Sequence, residues 1–333
     1  MRSRLISCTA IAAVSLTVLV GCTAAGIDSD ADNGAATTDD ASWPRIVEHD
    51  AGTTEIPGEP LRIVSVSPSI TGSLLAIDAP VIATGAAYVS ALTDDKGFFT
   101  QWADAADAAG VEVAYSDLEL DLDAIDLLEP DLIVGSVNGA DTALESYDQL
   151  SEIAPTILLD YGTETWQELT SQLGEATGRE DAAETVFDDY DAQISELATE
   201  LALPEQPVTV AVYLGADGVW AYDGTSPQAD LLASLGFSYA PAAEEFSSEQ
   251  AAANGVNVLS AENMAAGLAD TQTMFLVNMT GTDVVAAFTG DALLAGQAAV
   301  AAGRVHSLGT ESFRLDYYSA LNTAKLLVDI FAG

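Results

Sequence analysis

From Thr165 to about Leu201 an apolar pattern recurs at spacings of three and four: Leu169, Leu173 and Ala176, then Ala183, Val186, Phe187, Tyr190, Ile194 and Leu197. No strand signal interrupts it, and Gly178-Arg179-Glu180 marks a break between a shorter helix and a long one. On both sides the grammar is different. Before it, residues 61–66, 81–85, 131–134 and 155–159 read as strands, with helical sequence through Leu74-Leu75-Ala76 and over 123–128. After it, 208–214 resembles the first strand, Asp230 to Gly236 matches the end of the first helix, and Ser260 to Met264 precedes a strand at 273–277. The strands are continuously apolar rather than alternating, which indicates buried parallel sheets. The expected fold is therefore α/β, with two doubly wound lobes joined by a single long α-helix and a ligand cleft between the lobes. In open α/β sheets the loops at the carboxyl ends of strands line such clefts.

Segment boundaries follow from composition. Residues 1–21 carry Arg2 and Arg4, an apolar run and Leu19-Val20-Gly21 before Cys22, the three regions of an export signal. The run is too short to favour a permanent transmembrane helix, which needs roughly 20 apolar residues. Leu-Val-Gly-Cys resembles the lipobox of bacterial lipoproteins, which implies that Cys22 is lipidated and becomes the mature N-terminus. Residues 22–42 are small, polar and acidic and read as a disordered tether. An N-terminal lobe then spans 43–164, the connecting helical segment 165–203 and a C-terminal lobe 204–333. Within the first lobe, 45–49 and 53–56 flank Asp50-Ala51-Gly52 as a hairpin.

Charge narrows the partners. All 52 acidic residues follow Cys22, and two of the nine Lys and Arg precede it, so the mature chain carries 7 − 52 = −45. Nucleic acid and anionic lipid surfaces are poor partners for such a chain. Cys8 lies in the leader, so the mature protein has one cysteine and no internal disulfide. His49 and His306 are distant in sequence and do not form the histidine cluster of a free-metal site. No bound metal and no cofactor are expected.

Several ordered motifs resemble the substrate-binding proteins of ABC importers, in the class that delivers ferric siderophores, haem and vitamin B12. They are the hairpin exit Ile56-Pro57-Gly58-Glu59-Pro60-Leu61-Arg62-Ile63-Val64-Ser65, the joint Leu128-Glu129-Pro130-Asp131-Leu132-Ile133, Leu150 to Thr156, the mid-chain helix, and Gly303-Arg304-Val305-His306-Ser307-Leu308. The resemblance runs from about Thr53 to Phe331 and implies a periplasmic-binding-protein fold of the third class, in which a rigid helix keeps closure small. It implies an ABC permease with its ATPase as partners, a small-molecule iron chelate as ligand, attachment through a lipid anchor to the outer face of a cell membrane, and action as a monomer.

The resemblance also directs attention to particular residues. Arg45, Arg62, Arg179, Arg304 and Lys325 have ordinary surface roles in sequence terms, whereas Lys96 and Arg314 fall in loops that the family fold places at the cleft mouth. A guanidinium can hydrogen-bond anionic oxygens around a ferric centre, and aromatic rings pack on flat chelating groups. Arg314 is followed by Tyr317 and Tyr318; Tyr88 follows the second strand; Trp220 and Tyr222 lie in a Gly-rich stretch after the first strand of the second half. These seven residues are the expected ligand contacts. Asp123 and Glu262 occupy matching places in the two halves and correspond to the acids that pair with permease arginines; the simpler account of each is a helix N-terminal acid.

The leading reading is capture of an iron complex, a ferric siderophore in first place, with haem and cobalamin as alternatives. Two plausible cleft cations are few for a catecholate, which favours a hydroxamate or mixed siderophore. An anchored α/β hydrolase is the enzymatic alternative, but the sequence has no Gly-x-Ser-x-Gly, Gly-x-x-x-x-Gly-Lys or His-Glu-x-x-His motif. A signalling or scaffolding lipoprotein is the third class.

Overall fold

The computed structural model describes residues 43–247 and 255–332, so the leader, Cys22 and the tether lie outside the described residues. Two five-stranded sheets and a hairpin organise the rest. The hairpin pairs β1 (Arg45–His49) with β2 (Gly52–Ile56), as the turn residues predict. The first sheet comprises β3 (Ile63–Ser65), β4 (Val81–Gly85), β5 (Glu112–Tyr115), β6 (Leu132–Ser136) and β7 (Thr156–Leu159), in the order β5-β4-β3-β6-β7. Every pairing in it is parallel. Strands β3 and β6 at its centre and β7 at its edge are buried at every position, the physical reason for their unbroken apolar runs.

The second sheet is built from β8 (Val208–Tyr213), β9 (Val219–Tyr222), β10 (Val256–Leu259), β11 (Thr273–Val277) and β12 (Val305–Ser307), in the order β10-β9-β8-β11-β12. It corrects the expectation of a second parallel sheet: β9 runs antiparallel to both β8 and β10. Only Leu214 to Gly218 separate β8 from β9, too few for the crossover that parallel strands require. Gly218 makes the short connection feasible, because φ is +98° there and a Cβ would lie 1.9 Å from the Leu259 carbonyl oxygen.

Eleven helices are described: α1 (Pro68–Ala76), α2 (Thr100–Ala109), α3 (Leu122–Leu127), α4 (Tyr147–Ile153), α5 (Trp166–Thr177), α6 (Glu180–Glu200), α7 (Pro227–Ser234), α8 (Met264–Gly267), α9 (Val284–Thr289), α10 (Ala298–Ala301) and α11 (Tyr317–Phe331). The predicted break is present. Thr165 and Glu168 form a capping box that starts α5, and Gly178, at φ 71°, ends it. Helix α6 then buries Ala183, Val186, Tyr190 and Ile194 on one stripe. At 21 residues it is about 30 Å long, enough to link one sheet to the other.

The sequence reading did not anticipate that α11 is a second strut. Tyr317 at its start meets Trp166 at 6.1 Å, whereas Phe331 at its end meets Phe275 of β11 at 6.0 Å. One buried apolar cluster therefore contains residues of both sheets, from Ile63 and Leu132 to Val210 and Phe275. The two halves thus share one close-packed core.

His49 ties the hairpin to the first sheet. Its Nδ1 accepts hydrogen bonds from the backbone N–H groups of Ala51 at 3.2 Å and Leu158 at 3.3 Å, and its Nε2 lies 3.0 Å from the Thr54 hydroxyl. Burial lowers the pKa of His49, with Asp50 opposing in part, and burial likewise lowers that of His306. Below about pH 6.5 the unfolded chain thus binds more protons than the folded one, and the stability contributed by the neutral rings is lost as pH falls through their folded values. Thermal melts compared between about pH 7.5 and about pH 5 should show a steeper loss of Tm for the wild type than for His49→Gln, since changes in carboxylate repulsion act on both alike. Parallel profiles would contradict this role of His49.

Candidate functional site

A cavity of about 230 Å³ opens between the carboxyl ends of the first sheet's strands and the segment that follows β12. From the first half come Pro68 and Ser69 after β3, Tyr88 and Phe99 after β4, and Asp141 after β6. Glu311, Phe313 and Arg314 come from the second half, immediately before α11. Strand-end loops thus supply both walls, as the general rule for open α/β sheets requires.

Arg314 lines this cavity from the second half. Its Nη1 donates to the Ser69 hydroxyl, and its guanidinium carbon lies 4.2 Å from the centroid of the Tyr161 ring, in cation–π geometry. Tyr161 donates its hydroxyl to Asp141 Oδ1 at 2.7 Å, and the Ser69 backbone N–H donates to Asp141 Oδ2 at 3.0 Å. Burial outweighs the nearby guanidinium and raises the Tyr161 pKa, so the phenol stays a hydrogen-bond donor at neutral pH. The buried Ser67 hydroxyl locks the arrangement from beneath, donating to the Asp141 carbonyl at 2.6 Å and accepting from the Ser136 N–H at 2.9 Å. Arg314, Ser69, Asp141 and Tyr161 therefore form one connected polar group spanning the two halves. Arg314 has five N–H donors, and the partners described leave donors available to a ligand's oxygen atoms.

Gly139 is required by this arrangement. Its φ is +81°, and a Cβ there would lie 1.6 Å from the Tyr161 hydroxyl oxygen. Gly139→Ala should cost about 1–3 kcal/mol of stability from the backbone conformation alone. It should also displace Tyr161 and weaken ligand binding; chemical denaturation and a binding titration check the two effects, and a variant with wild-type values in both would refute the requirement.

Of the seven expected ligand contacts, the cleft brings together Tyr88 and Arg314. Tyr88 is 59% exposed at the cavity wall. Lys96 is elsewhere: its Nζ pairs with Asp107 of α2 and lies 3.8 Å from Asp94, and the Asp107 hydrogen bond raises its pKa. Asp94 Oδ1 accepts from the backbone N–H groups of Lys96 and Phe98, curling the loop so that the lysine meets α2. Trp220 does not line the cavity; it belongs to β9, between Val212 and Val258 on the neighbouring strands. Tyr222 is buried beneath the cleft segment and donates to the Phe313 carbonyl at 3.2 Å, supporting the loop that carries Arg314 rather than lining the cavity. Tyr317 and Tyr318 pack together at 5.3 Å in the first turn of α11, with Tyr317 against Trp166, and are absent from the cavity lining.

The sequence reading missed Ser69, Phe99, Asp141, Tyr161 and Phe313. A partial signal existed in Asn138-Gly139, the strand exit that leads to Asp141.

Asp123 and Glu262 are both exposed, one in each half. Asp123 lies in the first turn of α3, where a helix N-terminal acid is favoured, beside the N-cap Asp121, which accepts from the Ala124 N–H at 3.0 Å. Glu262 lies just before α8, with its pKa lowered by its own backbone N–H and the Ser260 hydroxyl. Among the described residues no group of three or more His, Cys, Asp and Glu is arranged to hold a metal ion.

The periplasmic binding protein family model matches residues 63–311. The chain belongs to the periplasmic binding proteins. Among these proteins it is 40% identical over 305 residues to the ferric enterobactin-binding periplasmic protein FepB of Escherichia coli O6:H1, covering 90% of this chain and 94% of that protein. It is 30% identical over 201 residues to the probable siderophore-binding lipoprotein YfiY of Bacillus subtilis, covering 59% of this chain and 58% of YfiY. The crystal structure of holo-ViuP superposes with a TM-score of 0.78 and 34% identity, covering 88% of this periplasmic binding protein and 96% of ViuP. The α/β architecture of two sheets is common to this group.

Proposed function

We propose that this chain is the solute-binding component of an ABC importer, capturing a ferric siderophore outside the cell membrane and delivering it to a permease. The observation that carries the reading is Arg314 in the lining of a cleft between the two halves, together with Tyr88, Phe99 and Phe313, in a chain similar to a ferric enterobactin-binding protein over 90% of its length. A guanidinium fits the oxygens of an iron chelate, and the aromatic groups fit its flat organic face. The shared core keeps the cleft formed before ligand arrives, which lowers the ordering cost of binding. Such a protein binds and presents its ligand without transforming it.

Attachment through a lipid on Cys22 completes the proposal. The likeness to YfiY, a lipoprotein by name, supports it, as does the Leu-Val-Gly-Cys sequence. A tether of residues 22–42 would let the binding domain sample its surroundings within reach of the permease. Lys96 and Trp220 are not proposed as ligand contacts, and Tyr222, Tyr317 and Tyr318 act as supports.

Intrinsic tryptophan fluorescence, titrated with ferric siderophores, haemin and cobalamin, tests the reading. Saturable quenching by at least one ferric siderophore, at concentrations where haemin and cobalamin have no effect, is the expected result. A folded protein that responds to none of the siderophores would refute it.

A further inference from the structure

We infer that Asp141 is the positioning residue of the cleft: one buried carboxylate holds both side chains that orient the Arg314 guanidinium, and so sets the affinity for a ferric chelate without itself serving as a ligand group. The inference rests on the siderophore reading and deepens it by naming what holds its guanidinium in place.

Arg314 rests on two neighbours from the first half. Its Nη1 donates to the Ser69 hydroxyl, and its guanidinium carbon lies 4.2 Å from the centroid of the Tyr161 ring. Ser69 belongs to α1 and Tyr161 to the exit from β7, so their shared orientation needs a third group to join them. Asp141 is that group. Its Oδ2 accepts from the Ser69 backbone N–H at 3.0 Å, and its Oδ1 accepts from the Tyr161 hydroxyl at 2.7 Å. The residue is 8% exposed and both carboxylate oxygens are engaged within the protein, which suits a support better than a ligand contact.

The start of α1 explains why a carboxylate stands here. Ser67 is the N-cap, but its side chain makes no cap bond; the hydroxyl donates instead to the Asp141 carbonyl at 2.6 Å. The Ser69 N–H is one of the donors that a helix start leaves unpaired, and Asp141 supplies from a distant loop the acceptor that Ser67 withholds. A negative group is favoured at that end of a helix. Ser67 thus fixes the Asp141 backbone, while α1 fixes its side chain. On the other oxygen, burial raises the Tyr161 pKa and keeps the phenol a donor. A hydroxyl donating to an anion is polarised, and the added electron density in its ring strengthens the cation–π contact with Arg314.

Asp141→Asn tests this with little change of shape. The asparagine oxygen can serve the Ser69 N–H, but the amide facing the phenol donates, so the bond to Tyr161 reverses and the ring loses its anionic partner. Ferric enterobactin, a catecholate, and ferrichrome, a hydroxamate, are titrated into the mature wild type, Asp141→Asn, Arg314→Ala and the double variant. For the chelate that the wild type binds more tightly, Asp141→Asn should weaken affinity at least about fivefold. In the Arg314→Ala background the same change should have less than about a twofold effect, because Asp141 acts through the guanidinium. NMR of the unliganded protein supplies a second readout. The Arg314 side-chain protons, assigned by their loss in Arg314→Ala, should carry a ring-current shift from Tyr161 that shrinks in Asp141→Asn. A helix cap with no positioning role would lower Tm and move neither readout. If Asp141→Asn does not fold, Tyr161→Phe, which removes the hydrogen bond and keeps the ring, carries the same two expectations. Equal losses with and without Arg314, tighter binding by Asp141→Asn, or an unchanged Arg314 shift would overturn the positioning role and leave the siderophore reading standing. Binding of neither chelate by the folded wild type would overturn the siderophore reading, while the Arg314 shift would still decide whether Asp141 orders the guanidinium.

Discussion

Alanine at position 314 should weaken binding of the ferric chelate at least about tenfold, and up to about a hundredfold, because hydrogen bonds to a charged group contribute about 1.5–3 kcal/mol. The guanidinium is the single cation lining the described cavity, and the Ser69 hydroxyl and the Tyr161 ring fix its orientation. Arg314→Lys should fall between wild type and alanine. It keeps a charge but loses the planar group that stacks on Tyr161 and donates in a fork. Circular dichroism separates this from a folding defect, since the residue also links the two halves. Wild-type affinity in folded Arg314→Ala would remove the residue from the site.

Charge reversal at Glu262 and Asp123 should give the opposite profile: iron uptake by cells falling at least about tenfold, with ligand affinity within about twofold of wild type. Both side chains are exposed and neither lines the cleft, although Asp123 also sits in the first turn of α3, next to the N-cap Asp121. An exposed acid in each half suits a partner that presents basic groups to both halves at once. Loss of ligand binding in the Glu262→Lys, Asp123→Lys double variant would contradict a docking role, and so would normal uptake.

Periodicity and chain order made most of the architecture legible. The long run of helical spacing, broken at Gly178, corresponds to α5 and α6 within a residue or two, because a left-handed glycine is a strong local stop. Fully buried strands such as β6 and β11 announced themselves as unbroken apolar runs. Direction was harder to read: β9 is as apolar as its neighbours, and only the shortness of the Leu214 to Gly218 connection reveals that it turns back. The path of α11 across both halves was invisible, since an amphipathic helix does not state what covers it.

The lining of the candidate site was legible where chemistry is rare and obscure where it is common. Arg314 stood out because cations are scarce in this chain, whereas Asp141 was lost among 52 acids. Lys96 shared the scarcity of Arg314, yet local acids captured it; one turn of loop geometry, set by Asp94, decided the difference. Tyrosines near Arg314 in sequence point elsewhere, because the first turn of a helix distributes consecutive side chains around its axis. Tyr161 contributes instead, from about 150 residues away in sequence, brought in by the β7 exit and admitted by Gly139.

Equilibrium dialysis of the mature protein against radio-iron-labelled ferric siderophore, run beside folded Arg314→Ala, tests the central claim most directly. Saturable uptake of one chelate per wild-type molecule, markedly weakened in the variant, is the result expected of a receptor whose cleft is organised around Arg314. No retention of any ferric chelate by the wild type, or equal retention by both proteins, would contradict it.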